Sequence, residues 1–358
     1  MKPFDRHKHF VKELIKWNVK ENKREMPWKG EKDPYKIWLS EIILQQTRVD
    51  QGLAYYNRFV KAFPTVIHLS KAPETEVFKL WEGLGYYTRC KNLIATAKYI
   101  ADELTGNFPE QYEDILALKG IGPYTAAAIG SFAFNLPYAV VDGNVFRVLA
   151  RYFAIAVPVD SIAGKKMFTA LANDLLDKSQ PGSYNQALMD FGAIICKPQL
   201  PLCSSCIFKK HCMAYQQDLV QVLPVKEKFI IKKVRWFYYL VVDFNGEIFI
   251  RKRGPKDIWE NLYEFILLES KEELHFENFQ FIKEILGQQQ FEVEHISPFY
   301  KQLLTHQTIQ GQFIYIKIKE SIVLNGYKTV AKNALEKLPF PKFISNYLKD
   351  KNVSLNLF

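Results

Sequence analysis

The chain has 358 residues, 48% of them hydrophobic, so it can build two or three domains with cores of their own. Its polar N-terminus does not read as a signal peptide and no run of eighteen apolar residues occurs, which argues against a secreted or membrane-spanning protein and predicts a soluble, cytoplasmic one. A formal charge of +10 suits a polyanionic partner such as nucleic acid, and equally suits positive charge spread over a solvated surface.

The hydrophobic pattern changes once along the chain. Over 1–215 apolar residues recur at three- and four-residue spacing, which predicts helix after helix. A polar, proline-containing stretch over 216–233 reads as a linker. Over 234–358 the runs become β-branched and aromatic, and two of them flank Asn245-Gly246, which is typical of a hairpin. We therefore predict an all-α domain followed by an α+β domain.

The segment DPYKIWLSEIILQQT predicts a helix that Asp33 caps and Pro34 opens. Glu41 shares a flank of this helix with apolar neighbours. Partial burial would raise its pKa and keep part of it protonated near neutral pH, as a general acid requires. An ordinary exposed glutamate is the alternative at any single helical position.

The segment LKGIGPYTAAAIG, within about 110–134, predicts two helices joined by a tight turn. Gly120 and Gly122 permit the turn, and Pro123 suits the first position of the second helix. The N-terminus of that helix would favour an anion, so the pattern is compatible with a helix-hairpin-helix clamp on a DNA phosphate. A plain turn between helices is the alternative.

A second carboxylate lies in VDGNVFRVLAR, where Asp142 precedes a predicted helix. The simple interpretation is an N-cap. Amides at the start of a helix would also keep the carboxylate ionised, which suits it to stabilise a cationic transition state. One carboxyl kept acidic and one kept anionic is a general arrangement for cleaving a glycosidic bond.

Four of the five cysteines fall in the basic segment CKPQLPLCSSCIFKKHC. In a reducing compartment such a cluster favours a metal over disulfides. A single Cys-x-x-Cys hook with two longer arms favours a [4Fe-4S] cluster, with structural zinc as the alternative. Cys90 stands alone in a helical stretch and reads as a core thiol. The predicted ligands are Cys196, Cys203, Cys206 and Cys212.

Several of these motifs occur together in one order. LSEIILQQTRV, WEGLGYYTRCKNL, LKGIGPYTAAAIG, VDGNVFRVLAR, YNQALMDFGAIIC and the cysteine spacing resemble the MutY family of adenine DNA glycosylases, which belong to the helix-hairpin-helix, iron-sulfur superfamily. The resemblance covers nearly the whole chain. It implies base excision repair, in which adenine mispaired with 8-oxoguanine or guanine is removed from double-stranded DNA by a protein that carries a [4Fe-4S] cluster.

The resemblance also implies roles for the catalytic positions. Glu41 matches the acid that protonates adenine, and Asp142 matches the carboxylate that stabilises or traps the oxocarbenium ion. Asn144 and Tyr124 match the residues that assist them. Bifunctional lyases of the endonuclease III type carry a lysine at the position of Tyr124, so a hydrolytic, monofunctional enzyme is expected.

Four further positions match residues that hold DNA in this family. Arg24 and Trp28 match the adenine pocket. Gln46 and Tyr86 match residues that fill the gap left by an extruded base and contact the opposite strand. Each of these side chains could instead serve an ordinary structural role.

The C-terminal domain resembles the Nudix-like module with which the family recognises 8-oxoguanine. Thr305 and His306 match the polar pair of the recognition loop, whereas Leu304 replaces the aromatic residue usual beside them. The helix of paired glutamates that an active Nudix hydrolase needs for magnesium is not evident, so recognition without hydrolysis is expected.

Three alternative functions remain open from the sequence. The chain could be a DNA-binding scaffold of the same fold without catalysis, although two suitably placed carboxylates argue against that interpretation. It could be a pyrimidine glycosylase of the endonuclease III type, or its second domain could be a nucleotide pyrophosphohydrolase. A monomer, associated with the nucleoid if the protein is bacterial, is the expected state.

Overall fold

A computed structural model describes residues 3–227, 232–274, 280–287 and 290–350. The chain divides into two compact units, of which the first comprises Met1–Lys71 with Asn92–Lys228 and the second comprises Ala72–Lys91 with Phe229–Phe358. Residues 228–231 of the predicted linker and the last eight residues of the predicted second domain lie outside the described residues. None of the described helices is both long enough and apolar enough to cross a membrane.

The N-terminal part of the chain is helical throughout, as predicted. No strand occurs among its described residues, and a 3-10 helix lies within the cysteine segment. The helices are α1 (Pro3–Lys20), α2 (Pro34–Leu44), α3 (Val49–Ala62), α4 (Val66–Lys71), α5 (Glu74–Trp81), α6 (Tyr87–Asp102), α7 (Tyr112–Ala117), α8 (Pro123–Phe134), α9 (Gly143–Tyr152), α10 (Ile162–Leu175), α11 (Pro181–Ile194) and α12 (Met213–Gln216), with the 3-10 helix at Cys203–Ser205.

Helix α2 is the most deeply buried helix of those that carry predicted site residues. Asp33 caps it by accepting a hydrogen bond from the Tyr35 amide at 2.9 Å, and Pro34 opens it. Tyr35 and the seven consecutive residues Ile37–Ile43 are buried. A helix that is apolar nearly all round must be enclosed by other elements. Helix α8 packs against α2. Residues 126–128 of α8 are all alanine, so their side chains are small.

A second core joins α1, α9, α10 and α11 to the cysteine segment. The ring of Phe208, which lies between two of the cysteines, stacks on Phe10 with 4.8 Å between centroids. It also meets the edge of Phe191 at 5.0 Å. The cysteine segment is therefore packed into the helical core and is not an appended surface loop.

The second unit contains an eight-stranded mixed sheet. Its central strands, β1 and β7, run parallel, and the remaining neighbours pair antiparallel. The strands are β1 (Lys233–Phe244), β2 (Glu247–Lys252), β3 (Tyr263–Glu264), β4 (Ile266–Ser270), β5 (Phe291–Ile296), β6 (Tyr300–Leu303), β7 (Gln307–Ile318) and β8 (Lys328–Ala331); the helices are α13 (Gln280–Leu286) and α14 (Lys342–Leu348), with a 3-10 helix at Lys332–Lys337.

Both faces of the central strands are covered. Leu240 and Ile314 belong to a cluster that includes residues of α13, whereas the alternate residue Phe313 stacks on Tyr347 of α14 at 4.0 Å between centroids. The predicted hairpin is present, because Asn245 (φ 52°) and Gly246 (φ 86°) form the two-residue turn between β1 and β2. The predicted all-α domain followed by an α+β domain is thus confirmed.

Candidate functional site

The two carboxylates that the sequence singles out face one cavity of the first unit. Glu41 from α2 and Asp142 from the start of α9 both line a space of about 480 Å3. That volume lies within the usual range of small-molecule pockets. Five further predicted residues line the same cavity: Arg24, Trp28, Gln46, Tyr124 and Asn144.

Glu41 is buried, with 6% of its surface exposed. Burial raises the pKa of its carboxyl to about 7, and the negative charge of Asp142 raises it as well. The Tyr124 hydroxyl donates a hydrogen bond to Glu41 Oε2 at 2.6 Å, which opposes the rise. A carboxyl with this pKa is protonated in a large fraction of molecules near neutral pH.

Asp142 is held by more donors than Glu41. It is the N-cap of α9 and accepts hydrogen bonds from the Val145 amide and from Asn144 Nδ2, both at 2.7 Å. Burial raises the pKa of Asp142 above its ordinary value, although these hydrogen bonds and the positive charge of Arg147 oppose the rise. Glu41 has only a neutral phenol as a donor. The additional donors therefore favour the ionised form at Asp142 more than at Glu41.

Arg147, which the sequence reasoning missed, fixes the orientation of Asn144. Its Nη2 donates to Asn144 Oδ1 at 2.8 Å, so the amide nitrogen of Asn144 faces Asp142. The same guanidinium donates from Nε to the carbonyl of Cys196 at 2.7 Å. Arg147 lies three residues after Asn144 on the same helix. Because side chains at this spacing are neighbours, the sequence could have indicated the contact.

The opposite wall of the cavity comes from the irregular segment 21–33 and from α11. Trp28 is 9% exposed and packs its ring edge-on against Tyr56 at 5.3 Å between centroids. Arg24 pairs with Asp190, Nη1 to Oδ1, at 2.7 Å. Gln186, one turn before Asp190, also lines the cavity. Gln186 and Asp190 were not identified from the sequence, although both fall in the quoted segment YNQALMDFGAIIC.

The predicted turn between α7 and α8 is present and requires glycine. Gly120 has a φ of +79°, and a Cβ built on it would lie 2.6 Å from Cβ of Asn92. Gly122 is the N-cap of α8, and Pro123 occupies the first turn of that helix. The start of α8 is thus a helix N-terminus of the kind that favours an anion.

Two of the predicted DNA-contacting residues have left-handed backbones. Gln46 has a φ of 55° just after α2, and Tyr86 has a φ of 50° just before α6. Non-glycine residues adopt this conformation at a cost, and such residues cluster at functional sites. Tyr86 is 42% exposed and belongs to the second unit, not to the cavity of the first.

Within the second unit, Tyr86 and Thr305 come together. The Tyr86 hydroxyl and the Thr305 hydroxyl share a hydrogen bond. Thr305 and His306 form the tip of the turn between β6 and β7, which the Leu304 amide closes by donating to the Gln307 carbonyl at 2.8 Å. Two residues singled out from separate motifs are therefore neighbours.

The four clustered cysteines line a second, small cavity of the first unit together with Arg151. Arg151 Nη1 donates to Cys196 Sγ at 3.5 Å, which is a suitable contact for a thiolate. Within the described ranges no three histidine, cysteine or acidic side chains converge on a point that could hold one metal ion. Four thiols around one cavity form a donor set that fits either an iron-sulfur cluster or a structural zinc ion. Cys90 is fully buried in the helical part of the chain.

Both parts of the chain are similar to known proteins. Residues 39–167 match the family model of HhH-GPD superfamily base excision DNA repair proteins, and residues 237–350 match the NUDIX domain. An adenine DNA glycosylase from Buchnera aphidicola subsp. Baizongia pistaciae (strain Bp) is 38% identical over 258 residues, which are 72% of this chain and 73% of that protein. The chain belongs to the adenine DNA glycosylase family.

Two further comparisons, each over a smaller share of this chain, agree with this finding. The adenine DNA glycosylase of Mus musculus is 41% identical over 218 residues, which are 58% of this chain and 42% of that protein. The solved structure of a thermostable thymine-DNA glycosylase is 30% identical, with a TM-score of 0.56 over 61% of this chain and 100% of that one. The predicted resemblance of this chain to the MutY family is thus confirmed.

Removing the phenol that contacts Glu41 should raise the pKa of Glu41 further. The Tyr124 hydroxyl stabilises the anionic form of Glu41 by donating a hydrogen bond to it, and Tyr124→Phe removes that donor. A carbon NMR titration of carboxyl-labelled glutamate, assigned with Glu41→Gln, would measure the change. The exposed Tyr99→Phe is the matched control and should leave the titration unaltered. An unchanged or lower pKa in Tyr124→Phe would contradict this account of the site.

Proposed function

We propose that this family member hydrolyses the N-glycosidic bond of adenine mispaired with 8-oxoguanine or guanine in duplex DNA. The observation that carries the proposal is that Glu41 and Asp142 face one cavity in different electrostatic settings. The choice of adenine is supported by the curated relatives, which are adenine DNA glycosylases. Such a reaction would make an abasic site during base excision repair.

Access to the cavity requires that the nucleotide leave the helix, because the bond to be cut is hidden inside a duplex. The start of α8 would hold a backbone phosphate next to the site. Gln46, which lines the cavity on a left-handed backbone, is suited to occupy the gap left in the stack. Arg24 and Trp28 would contact the extruded adenine.

The chemistry follows from the two protonation states. Glu41 would donate its proton to a ring nitrogen of adenine, so that the base leaves as a neutral molecule when the bond from sugar to base breaks. The electron pair goes with the base, and positive charge develops on deoxyribose. Asp142 would stabilise that charge, and Asn144 keeps its carboxylate oriented. Water then adds to the sugar and returns a proton to a carboxylate.

Hydrolysis without strand cleavage is the expected outcome. A lyase needs an amine that forms a Schiff base with the sugar. The corresponding position is Tyr124, whose hydroxyl is bonded to Glu41. Among the described residues that line the cavity, none is a lysine.

We assign recognition of the opposite base to the second unit. Thr305 and His306 present polar side chains at an exposed turn, and Tyr86 is bonded to Thr305. 8-Oxoguanine differs from guanine by a carbonyl at C8 and a hydrogen on N7, so hydroxyl and imidazole groups can distinguish the two. Leu304 supplies no aromatic surface for stacking. The NUDIX match covers this region, and we propose that it binds the base without hydrolysing nucleotides.

We further propose that the four cysteines hold a [4Fe-4S] cluster. The group would cross-link the loop whose Phe208 is packed into the helical core. It would thereby fix the basic side chains of that loop, Lys197, Lys209 and Lys210, for contact with DNA phosphates. Arg151 would stabilise the thiolate of Cys196 by hydrogen bonding.

The proposed activity is tested with a duplex that carries adenine opposite 8-oxoguanine, followed by alkali to cut at abasic sites. Glu41→Gln and Asp142→Asn should each slow base release at least about a hundredfold, because a general acid or a charge-stabilising group contributes that much or more. Duplex binding should survive in both. Glu103→Gln and Asp102→Asn, which are exposed, are the matched controls. Binding without base release by the unaltered protein would favour the scaffold, and release of a pyrimidine would favour the endonuclease III type.

The recognition role is tested with the opposite base as the variable. Replacing Thr305 and His306 by alanine should reduce the preference for adenine opposite 8-oxoguanine over adenine opposite guanine by about tenfold, the value of one good hydrogen bond. Thr329→Ala, on an exposed position of β8, is the control. Equal losses on both duplexes would contradict a role in reading the oxidised base.

The cluster proposal is tested by elemental analysis of the purified protein. We expect about four irons and four sulfides per chain, with the brown colour of an iron-sulfur protein. Cys206→Ser should lose the iron, whereas Cys90→Ser should keep it because that thiol is buried elsewhere in the chain. Stoichiometric zinc in place of iron would refute the assignment.

A further inference from the structure

Asp190 on α11 is a fully buried carboxylate behind the wall of the large cavity. Its Oδ1 accepts hydrogen bonds from Arg24 Nη1 at 2.7 Å and from Gln186 Nε2 at 3.0 Å. Its Oδ2 accepts from Asn22 Nδ2 at 2.9 Å and lies 3.1 Å from Lys29 Nζ. One side chain therefore ties three residues of the irregular segment 21–33 to α11.

The charges around Asp190 determine what it can do. An arginine and a lysine form ion pairs with it inside the protein, and an asparagine and a glutamine also donate to it. An ionised carboxylate accepts hydrogen bonds and donates none. Every group that faces Asp190 must therefore present a donor.

This requirement fixes the amide of Gln186. The amide nitrogen of Gln186 must point at Asp190, and the structure has it there at 3.0 Å. Gln186 also lines the cavity. Since its amide nitrogen is bonded to Asp190, the polar atom that it can present to the cavity is the amide oxygen. Without an acceptor-only partner either amide orientation would be possible.

We propose that Asp190 is a positioning residue for the base pocket: it holds Arg24 in the cavity wall and makes Gln186 present an oxygen there. An acceptor in the wall pairs with the amino group of a 6-aminopurine. It repels the carbonyl of a 6-oxopurine, since two acceptors then face each other. The inference rests on the proposed adenine glycosylase activity and adds a physical basis for its choice of base.

The test compares two substrates that differ in the amino group. Single-turnover rates are measured on duplexes with adenine, or with purine lacking the amino group, opposite 8-oxoguanine. Asp190→Asn can donate to the Gln186 oxygen, so that the glutamine amide turns and presents its nitrogen to the cavity. This variant should lower the ratio of adenine to purine rates about tenfold. Asp190→Glu, which keeps the charge, should restore part of the ratio, and Asp174→Asn, exposed on α10, should not change it.

Gln186→Ala provides an independent measurement if Asp190→Asn folds poorly. It should lower the same ratio by a similar factor, and the double variant should lower it no further, because both changes remove one interaction. An unchanged ratio in Gln186→Ala, or equal losses on both substrates in Asp190→Asn, would overturn the positioning role while leaving the glycosylase activity intact. No base release from either duplex by the unaltered protein would overturn the proposed function and this inference with it.

Discussion

The site depends on the burial of one carboxyl group. Glu41 lies on a helix whose neighbouring side chains are almost all apolar, so its charge is costly and its pKa rises to about 7. Asp142 shares the cavity but is held by a helix N-terminus, an amide and an arginine. The different surroundings of two chemically similar groups separate an acid from an anion. The same cavity would lose that distinction if both carboxyls were equally hydrated.

Helix α9 connects Asp142 and Asn144 of the cavity to the cysteine segment. Asp142 caps its start, and Arg147 in its middle bonds to Asn144 and to the carbonyl of Cys196. Arg151, one turn later, bonds to the Cys196 sulfur and to the Lys197 carbonyl at 2.7 Å. A metal centre in that segment would therefore act on the site by keeping α9 and its arginines in register.

Buried ion pairs recur in this protein. Asp190 is surrounded by donors from segment 21–33, which has no regular hydrogen-bonding pattern of its own. In the second unit, Arg253 and Glu264 form a buried ion pair. Breaking such a pair from one side leaves an unpaired buried charge, which costs more than the pair contributes when intact. Each therefore specifies one arrangement of the chain around it.

The sequence by itself determined the class of each domain, the hairpin at Asn245-Gly246, the capping of α2 by Asp33 and the identity of the two carboxylates. These follow from local rules of periodicity, turn geometry and capping, and from motifs that are continuous in the chain. It did not reveal that Tyr86 meets Thr305, that Arg147 orients Asn144, or that Asp190 gathers Arg24 and Gln186. Most of these contacts join residues far apart in the chain, and Arg147 also bonds to Cys196, so only tertiary structure could decide them. Desolvation, which sets the pKa of Glu41, likewise depends on everything packed around a side chain and not on its neighbours in sequence.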